Sequence, residues 1–292
     1  MIVTAIILGL VQGLTEFLPI SSSAHIRIVS QLLGVGDWGA GFTAICQIGT
    51  ETAVIIYFRK EIKEILLNFF AILSPNSVTS LRASGGTKNT YWTRLKNNSP
   101  AQLGWWIIIG SLPAIILGVL LKDVIKTDFR NLWLTAVMLI SFGLILGIID
   151  RYQSASKTIK DLNWLDAVLY GIGQSLALIP GVSRSGGTIS AGRLMKYDRN
   201  SSARYAFLLA IPAVFGSGLF ETVDVLTDLP ANFPGPVPAI IAVLISFIVG
   251  YFVIIAFLRI VTTFSYMPFV IYRVALGVLV LGLLAVGVLT PL

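Results

Sequence analysis

Gln12, Glu16, Ser21, Ser22, Ser23 and His25 stand together in the run QGLTEFLPISSSAH, residues 12–25, directly behind an uncharged apolar start, MIVTAIILGLV. An ionisable side chain surrounded by hydrocarbon marks a functional site by default. On a helix Gln12 and Glu16 are one turn apart and share a face, so both can point into one cavity. Pro19 interrupts that helix, and the serines after it fall where a following helix opens with free backbone N–H groups, a ready anion site. His25 comes one turn after Ser22, close enough for a hydroxyl and an imidazole to share a proton. A second run, PGVSRSGGT at 180–188, supplies the opposite chemistry. Gly181 lets backbone approach a ligand, Ser183, Ser185 and Thr188 offer hydroxyls, and Arg184 carries the planar fork that suits phosphate oxygens. If the two runs meet, a carboxylate, a hydroxyl and an imidazole face a phosphate clamp. The reaction class is then phosphoryl transfer from a membrane-embedded phosphate ester or anhydride.

The elements that must position these groups are membrane helices. Of 292 residues 55% are hydrophobic and only 12% charged, with a mean hydropathy of +0.86, against roughly 25% charged in a soluble domain. One cysteine, Cys46, excludes an internal disulfide, and one histidine excludes a His-cluster metal site, so any metal takes oxygen ligands. The net charge of +7 reads as cytoplasmic loops obeying the positive-inside rule, not as nucleic-acid binding. The N-terminal apolar run has no basic n-region and no small-x-small cleavage site and is expected to stay in the mature protein. Stretches of about 20 apolar residues, enough to span a bilayer, lie near 39–58, 101–121, 131–149, 204–220, 238–258 and 268–288. Two more, 1–34 and 164–200, are broken in the middle by Pro, Gly and Ser, and each half is too short to cross. Both read as re-entrant hairpins whose breaks face the protein interior, because irregular backbone at membrane depth is tolerated only there or along a watery cavity.

The two breaks echo each other. GLVQGLTEFLPISS (9–22) resembles GIGQSLALIPGVSR (171–184), and Leu112-Pro113-Ala114 resembles Ile211-Pro212-Ala213. Three crossings separate the hairpins, an odd number, so the second enters from the opposite face: an inverted repeat with one site between its halves. Arg59, Lys60, Lys63, Arg82, Lys88, Arg94 and Lys96 place 59–100 in the cytoplasm as a polar loop, while Glu221, Asp224 and Asp228 place 221–237 outside. Counting outward puts both termini outside and 150–163 inside. The loop 122–130, with charges of both signs, fits its external place least well. Residues 76–100 read as a solvated loop. The expected fold is an all-α polytopic membrane protein, one integral membrane domain over 1–292, with six transmembrane helices and two re-entrant helical hairpins in an inverted-topology repeat.

The runs QGLTEFLPISSSAH and PGVSRSGGT, joined by AICQIGTETAVIIYFRKEI at 44–62, resemble the undecaprenyl-diphosphate phosphatase family, the bacitracin-resistance type of bacterial membrane phosphatase, over essentially the whole chain. The resemblance implies removal of the terminal phosphate of undecaprenyl diphosphate at the outer face of the plasma membrane, which regenerates the carrier for cell-wall synthesis. It implies that Ser22 is the nucleophile or the hydroxyl that positions the phosphate, that His25 is its proton partner, and that Arg184 clamps the transferring group. It implies that Glu16 holds a divalent cation, Mg2+ or Ca2+, or orients His25. Many members have Glu where this chain has Gln12, which leaves a metal to Glu16 with Gln12, substrate phosphates and water. Gln47 and Glu51, one helical turn apart within 39–58, are expected to line the same cavity with Gln174, and Glu51 to offset the charge absent at Gln12. Ser21, Ser23, Ser183, Ser185, Thr188 and Gly181 are expected around the phosphates. The implied partners are a polyprenyl diphosphate lipid and the bilayer, with a homodimer left open.

A lipid transporter or flippase is the alternative, since an inverted repeat around a midplane site is transporter architecture. It needs binding groups but no nucleophile. The phosphatidic-acid-phosphatase type uses two histidines and is excluded by His25 standing alone. A scaffold has no reason to keep Glu16, His25 and Arg184 at membrane depth, where each costs roughly 2.5 kcal/mol or more.

Overall fold

Backbone polar groups in hydrocarbon must be satisfied within their own segment, and this chain satisfies them with helices. The structure is a computed structural model that describes residues 1–73, 99–126, 131–228 and 232–291, together with residues 95, 129 and 230. Among the described residues there is no strand. In chain order the helices are α1 (Ile2–Thr15), α2 (Ser22–Leu32), α3 (Gly39–Tyr57), α4 (Arg59–Leu73), α5 (Ser99–Leu120), α6 (Lys122–Lys126), α7 (Leu132–Tyr152), α8 (Trp164–Ser175), α9 (Arg184–Leu194), α10 (Arg199–Thr227), α11 (Pro236–Thr263) and α12 (Met267–Ala285). Five of them, α5, α7, α10, α11 and α12, are long and apolar enough to cross a membrane. The pair α3 and α4, bent by 76° at its junction, makes a sixth if it is taken as one span. The protein is therefore a multi-pass membrane protein.

Several sequence boundaries move. The first part of the expected polar loop 59–100 is helical: α4 exposes Leu66, Leu67, Phe70 and Leu73 along its length. The polar residues 76–94 lie outside the described residues. The span expected near 204–220 is only the middle of α10, which Asp198 caps by accepting from the Ser201 N–H. Charged residues at the helix ends shortened the apolar reading but do not stop a capped helix from extending into the interface.

Both broken stretches fold as pairs of short helices, α1 with α2 and α8 with α9. Ser21 and Ser183 are the N-caps of the second halves, at φ 72° and 71°. This left-handed region costs a non-glycine residue about 1–2 kcal/mol. The Ser183 hydroxyl offsets part of that by accepting the Gly186 N–H. Gly181, at φ +96°, has no alternative: a Cβ there would lie 2.3 Å from the Thr135 carbonyl oxygen of α7.

Each broken stretch packs on a long helix. The half-helix α1 packs on α11, and its counterpart α8 packs on α5; α3 lies between α10 and α11, and α7 pairs with α12 while also touching α9. The α3–α11 contact is close because residue 49 is glycine: a Cβ would fall 2.3 Å from Ser246 Oγ, the small-residue route to tight membrane-helix packing. The Pro-Ala echo is corrected by this arrangement. Pro113 sits in α5, the second long helix after its break, whereas Pro212 sits in α10, the first after its own. The two prolines therefore occupy non-equivalent places, and a two-residue match was too short to carry the inference. Beneath the first break Phe17 is fully buried, edge-on to Phe207 with centroids 5.3 Å apart. At one end of the bundle Asp150 ties α7 to Arg193 of α9, Arg199 of α10 and the backbone N–H of Tyr266.

Candidate active site

The two breaks meet. Ser185 of the second donates to the Leu18 carbonyl of the first at 3.0 Å, and both are latched from outside by Arg273 of α12, which is fully buried. Its guanidinium donates to the carbonyls of Pro19 (3.0 Å), Gly181 (2.8 Å), Val182 (2.9 Å) and, on α7, Leu139 (3.2 Å). A backbone that leaves helical geometry exposes such carbonyls, and a buried donor fork is one way to satisfy them.

Within this junction one network joins four of the expected residues. Gln12 and Glu16 share a face as their spacing requires, with Gln12 Nε2 donating to Glu16 Oε2 at 2.8 Å. Ser22 Oγ donates to the same oxygen at 2.5 Å. The other oxygen, Oε1, receives Arg184 Nη2 at 2.7 Å, and that nitrogen also reaches Glu51 Oε1 at 2.7 Å. Glu51 is wholly buried on α3, in the span that also carries the half-buried Gln47. One guanidinium nitrogen thus bridges two buried carboxyl groups. Three buried atoms of the cluster have no partner: Gln12 Oε1, Glu51 Oε2 and Arg184 Nε. The first two suit a hard cation and the third suits an anion.

The remaining expected residues are distributed differently. His25 does not bond Ser22; its Nδ1 lies 2.7 Å from the Ser21 carbonyl and its Nε2 2.7 Å from the Tyr272 hydroxyl. The hydroxyls of Ser21 and Ser23 approach each other at 3.3 Å, and those of Ser183 and Ser185 at 3.1 Å. Thr188 donates to the Arg184 carbonyl and Ser185 to Leu18, so both protons are committed to backbone. Gly181 serves the close approach to α7 and hands its carbonyl to Arg273. Gln174, buried on α8, makes no bond to the network, and both ends of its amide are without partners. Tyr272 and Arg273 were not among the expected site residues. The signal for Arg273 was present in the sequence, a lone cation inside an apolar span; Tyr272 carried none.

Oxygen chemistry is all this site offers a metal. Among the described residues no three His, Cys, Asp or Glu side chains gather as a metal site. The two carboxylates and the Gln12 amide oxygen nevertheless fit a hard divalent cation completed by phosphate oxygens and water, given two buried oxygens awaiting a partner.

An all-helical, multi-pass protein whose broken helices bring a carboxylate-bound hydroxyl against a carboxylate-held guanidinium is of the membrane-embedded phosphate-handling class. The chain belongs to the family described as bacitracin resistance protein BacA, whose model matches residues 5–279. It is similar to the undecaprenyl-diphosphatase of Bifidobacterium longum subsp. infantis, 53% identical over 98% of this chain and 95% of that one. The undecaprenyl-diphosphatases of Nocardioides sp., 53% identical over 98% and 97%, and of Micrococcus luteus, 50% over 99% of each chain, are similarly close.

Proposed function

We propose that this chain is an undecaprenyl-diphosphate phosphatase: it hydrolyses the terminal phosphate of undecaprenyl diphosphate, returns undecaprenyl phosphate to cell-wall synthesis, and so confers bacitracin resistance. The observation that carries the reading is the Ser22–Glu16–Arg184 network, a hydroxyl with a proton acceptor in place beside a guanidinium that still has a free Nε edge. The terminal phosphate takes that edge of Arg184, where charge developing on its oxygens is stabilised. Either Ser22 gives its proton to Glu16 Oε2 and attacks phosphorus as the bond to the bridging oxygen breaks, releasing undecaprenyl phosphate and leaving a phosphoseryl group that water then hydrolyses, or Ser22 keeps its proton and orients the phosphate while Glu16 takes the proton of an attacking water. Ser21, Ser23 and Ser183 are the further hydroxyls that reorient around the phosphates, while Ser185, Thr188 and Gly181 hold the clamp in shape. Glu16, Gln12 and Glu51 would hold a divalent cation, Mg2+ or Ca2+, with Gln47 and Gln174 at the cavity margin, and the chemistry it would supply when bound is neutralisation of phosphate charge.

The membrane arrangement belongs to the same proposal. It has six crossings and two re-entrant hairpins, α1–α2 and α8–α9, related as an inverted repeat. Reciprocal packing of α1 on α11 and α8 on α5, together with the twin left-handed serine caps, supports it. The loop charges support both termini outside and a site opening to the outer face. A homodimer remains part of the reading, and sizing the purified protein against one 31.6 kDa chain tests it. The deciding experiment is phosphate release from undecaprenyl diphosphate by wild type, Ser22→Ala and Arg184→Ala, with and without Mg2+ or Ca2+. Hydrolysis by the wild type, lost by orders of magnitude in folded variants, is the expected result. Lipid binding without hydrolysis would instead favour a polyprenyl-phosphate flippase, which the meeting of two broken helices also suits.

A further inference from the structure

His25 is held at both ends of its ring. Nδ1 faces the Ser21 carbonyl, which can only accept, so Nδ1 carries a proton and in the neutral imidazole Nε2 holds the lone pair. That lone pair meets the Tyr272 hydroxyl at 2.7 Å, and the two rings lie nearly parallel, 6° apart with centroids 5.6 Å from each other. Tyrosines at membrane-protein surfaces ordinarily anchor the interface. Tyr272 is 45% exposed yet aims its hydroxyl inward, from the helix position next to the buried Arg273 that latches both breaks.

We propose that Tyr272 is a positioning residue of this site, whose hydroxyl, with the Ser21 carbonyl, fixes the orientation and tautomer of His25 so that Nε2 is its proton acceptor. The proposal rests on the phosphatase reading above. An imidazole free to rotate or to exchange tautomers presents its lone pair in the working direction only part of the time; fixing both removes that loss. Ser22 is bonded to Glu16 and the single Nε2 lone pair to the Tyr272 hydroxyl, so a reacting proton reaches His25 by way of that oxygen, which passes its own proton to Nε2 as it takes one from the water that attacks phosphorus. The role needs the Tyr272 oxygen and not merely its ring, since the ring stack survives replacement by phenylalanine.

His25 is the chain's only histidine, so 15N-histidine labelling of the untagged protein gives signals from one imidazole. The wild type is expected to show a protonated Nδ1 and an Nε2 that accepts a hydrogen bond. In Tyr272→Phe the Nε2 signal moves, as an unbonded lone pair or as the Nε2–H tautomer, and kcat for phosphate release falls about tenfold or more at unchanged KM. A wild type protonated at Nε2 overturns the proposal. So does a Phe variant with unchanged nitrogen signals, and so does one whose signals move while kcat stays. A wild type that releases no phosphate defeats the phosphatase reading by itself, and the nitrogen signals then judge the Tyr272–His25 lock alone.

Discussion

Ser22 and Glu16 act as one unit if the short bond between them is the proton path. Ser22→Ala and Glu16→Gln should then each lower phosphate release by about a thousandfold, and the double variant should lose no more than either alone. Independent, multiplying losses in steady-state assays would separate the two residues. Arg184 makes a sharper case. A lysine at 184 brings one point charge to a place where a planar fork spans Glu16, Glu51 and a free Nε edge. Arg184→Lys should cost about a hundredfold in kcat/KM despite the kept charge, and near-wild-type activity would reduce the clamp to a simple cation. The sequence made both residues legible because a carboxylate and a guanidinium at membrane depth need a reason to be there. It paired Ser22 with His25 from helical spacing alone. That spacing does place them one turn apart on α2, but the break turns the Ser22 hydroxyl back toward Glu16, the C-cap of α1. Such a turn depends on the φ of Ser21, which no spacing rule contains.

Gly181 and Arg273 are where elements are fastened to each other. Gly181→Ala meets both a left-handed backbone and the Thr135 carbonyl, so destabilisation by more than about 1 kcal/mol is expected. Thermal unfolding in detergent reads it directly. Arg273→Met keeps the side-chain volume but strips the donor from the Pro19, Gly181 and Val182 carbonyls at the breaks, and a buried carbonyl left unpaired costs about 1–3 kcal/mol. The melting temperature should drop more for Arg273→Met than for Gly181→Ala, and a variant that melts like wild type would mean water replaces the latch. Proline, glycine and serine announce breaks by local chemistry, so the positions of the two helix breaks were readable. What closes on a break is set by another helix far along the chain, which is why Arg273 escaped notice although its type and position were plain.

At the scale of the molecule the proposed orientation puts 221–237 outside and 150–163 inside. Cys46 is fully buried, so single cysteines can be added to the natural sequence without background. Asp228→Cys should react with a membrane-impermeant maleimide on intact cells and Lys160→Cys should not; the reverse pattern would invert the proposed orientation. The sequence by itself determined that this is a helical, multi-pass membrane protein and to which family it belongs. Hydropathy, helix breakers and motif residues are properties of neighbours in the chain. Only the tertiary structure decided which groups share a proton or a charge. Glu51 joining Arg184, Ser22 turning to Glu16 and Tyr272 closing on His25 all cross between helices, where contact depends on packing and backbone turns that local sequence does not encode.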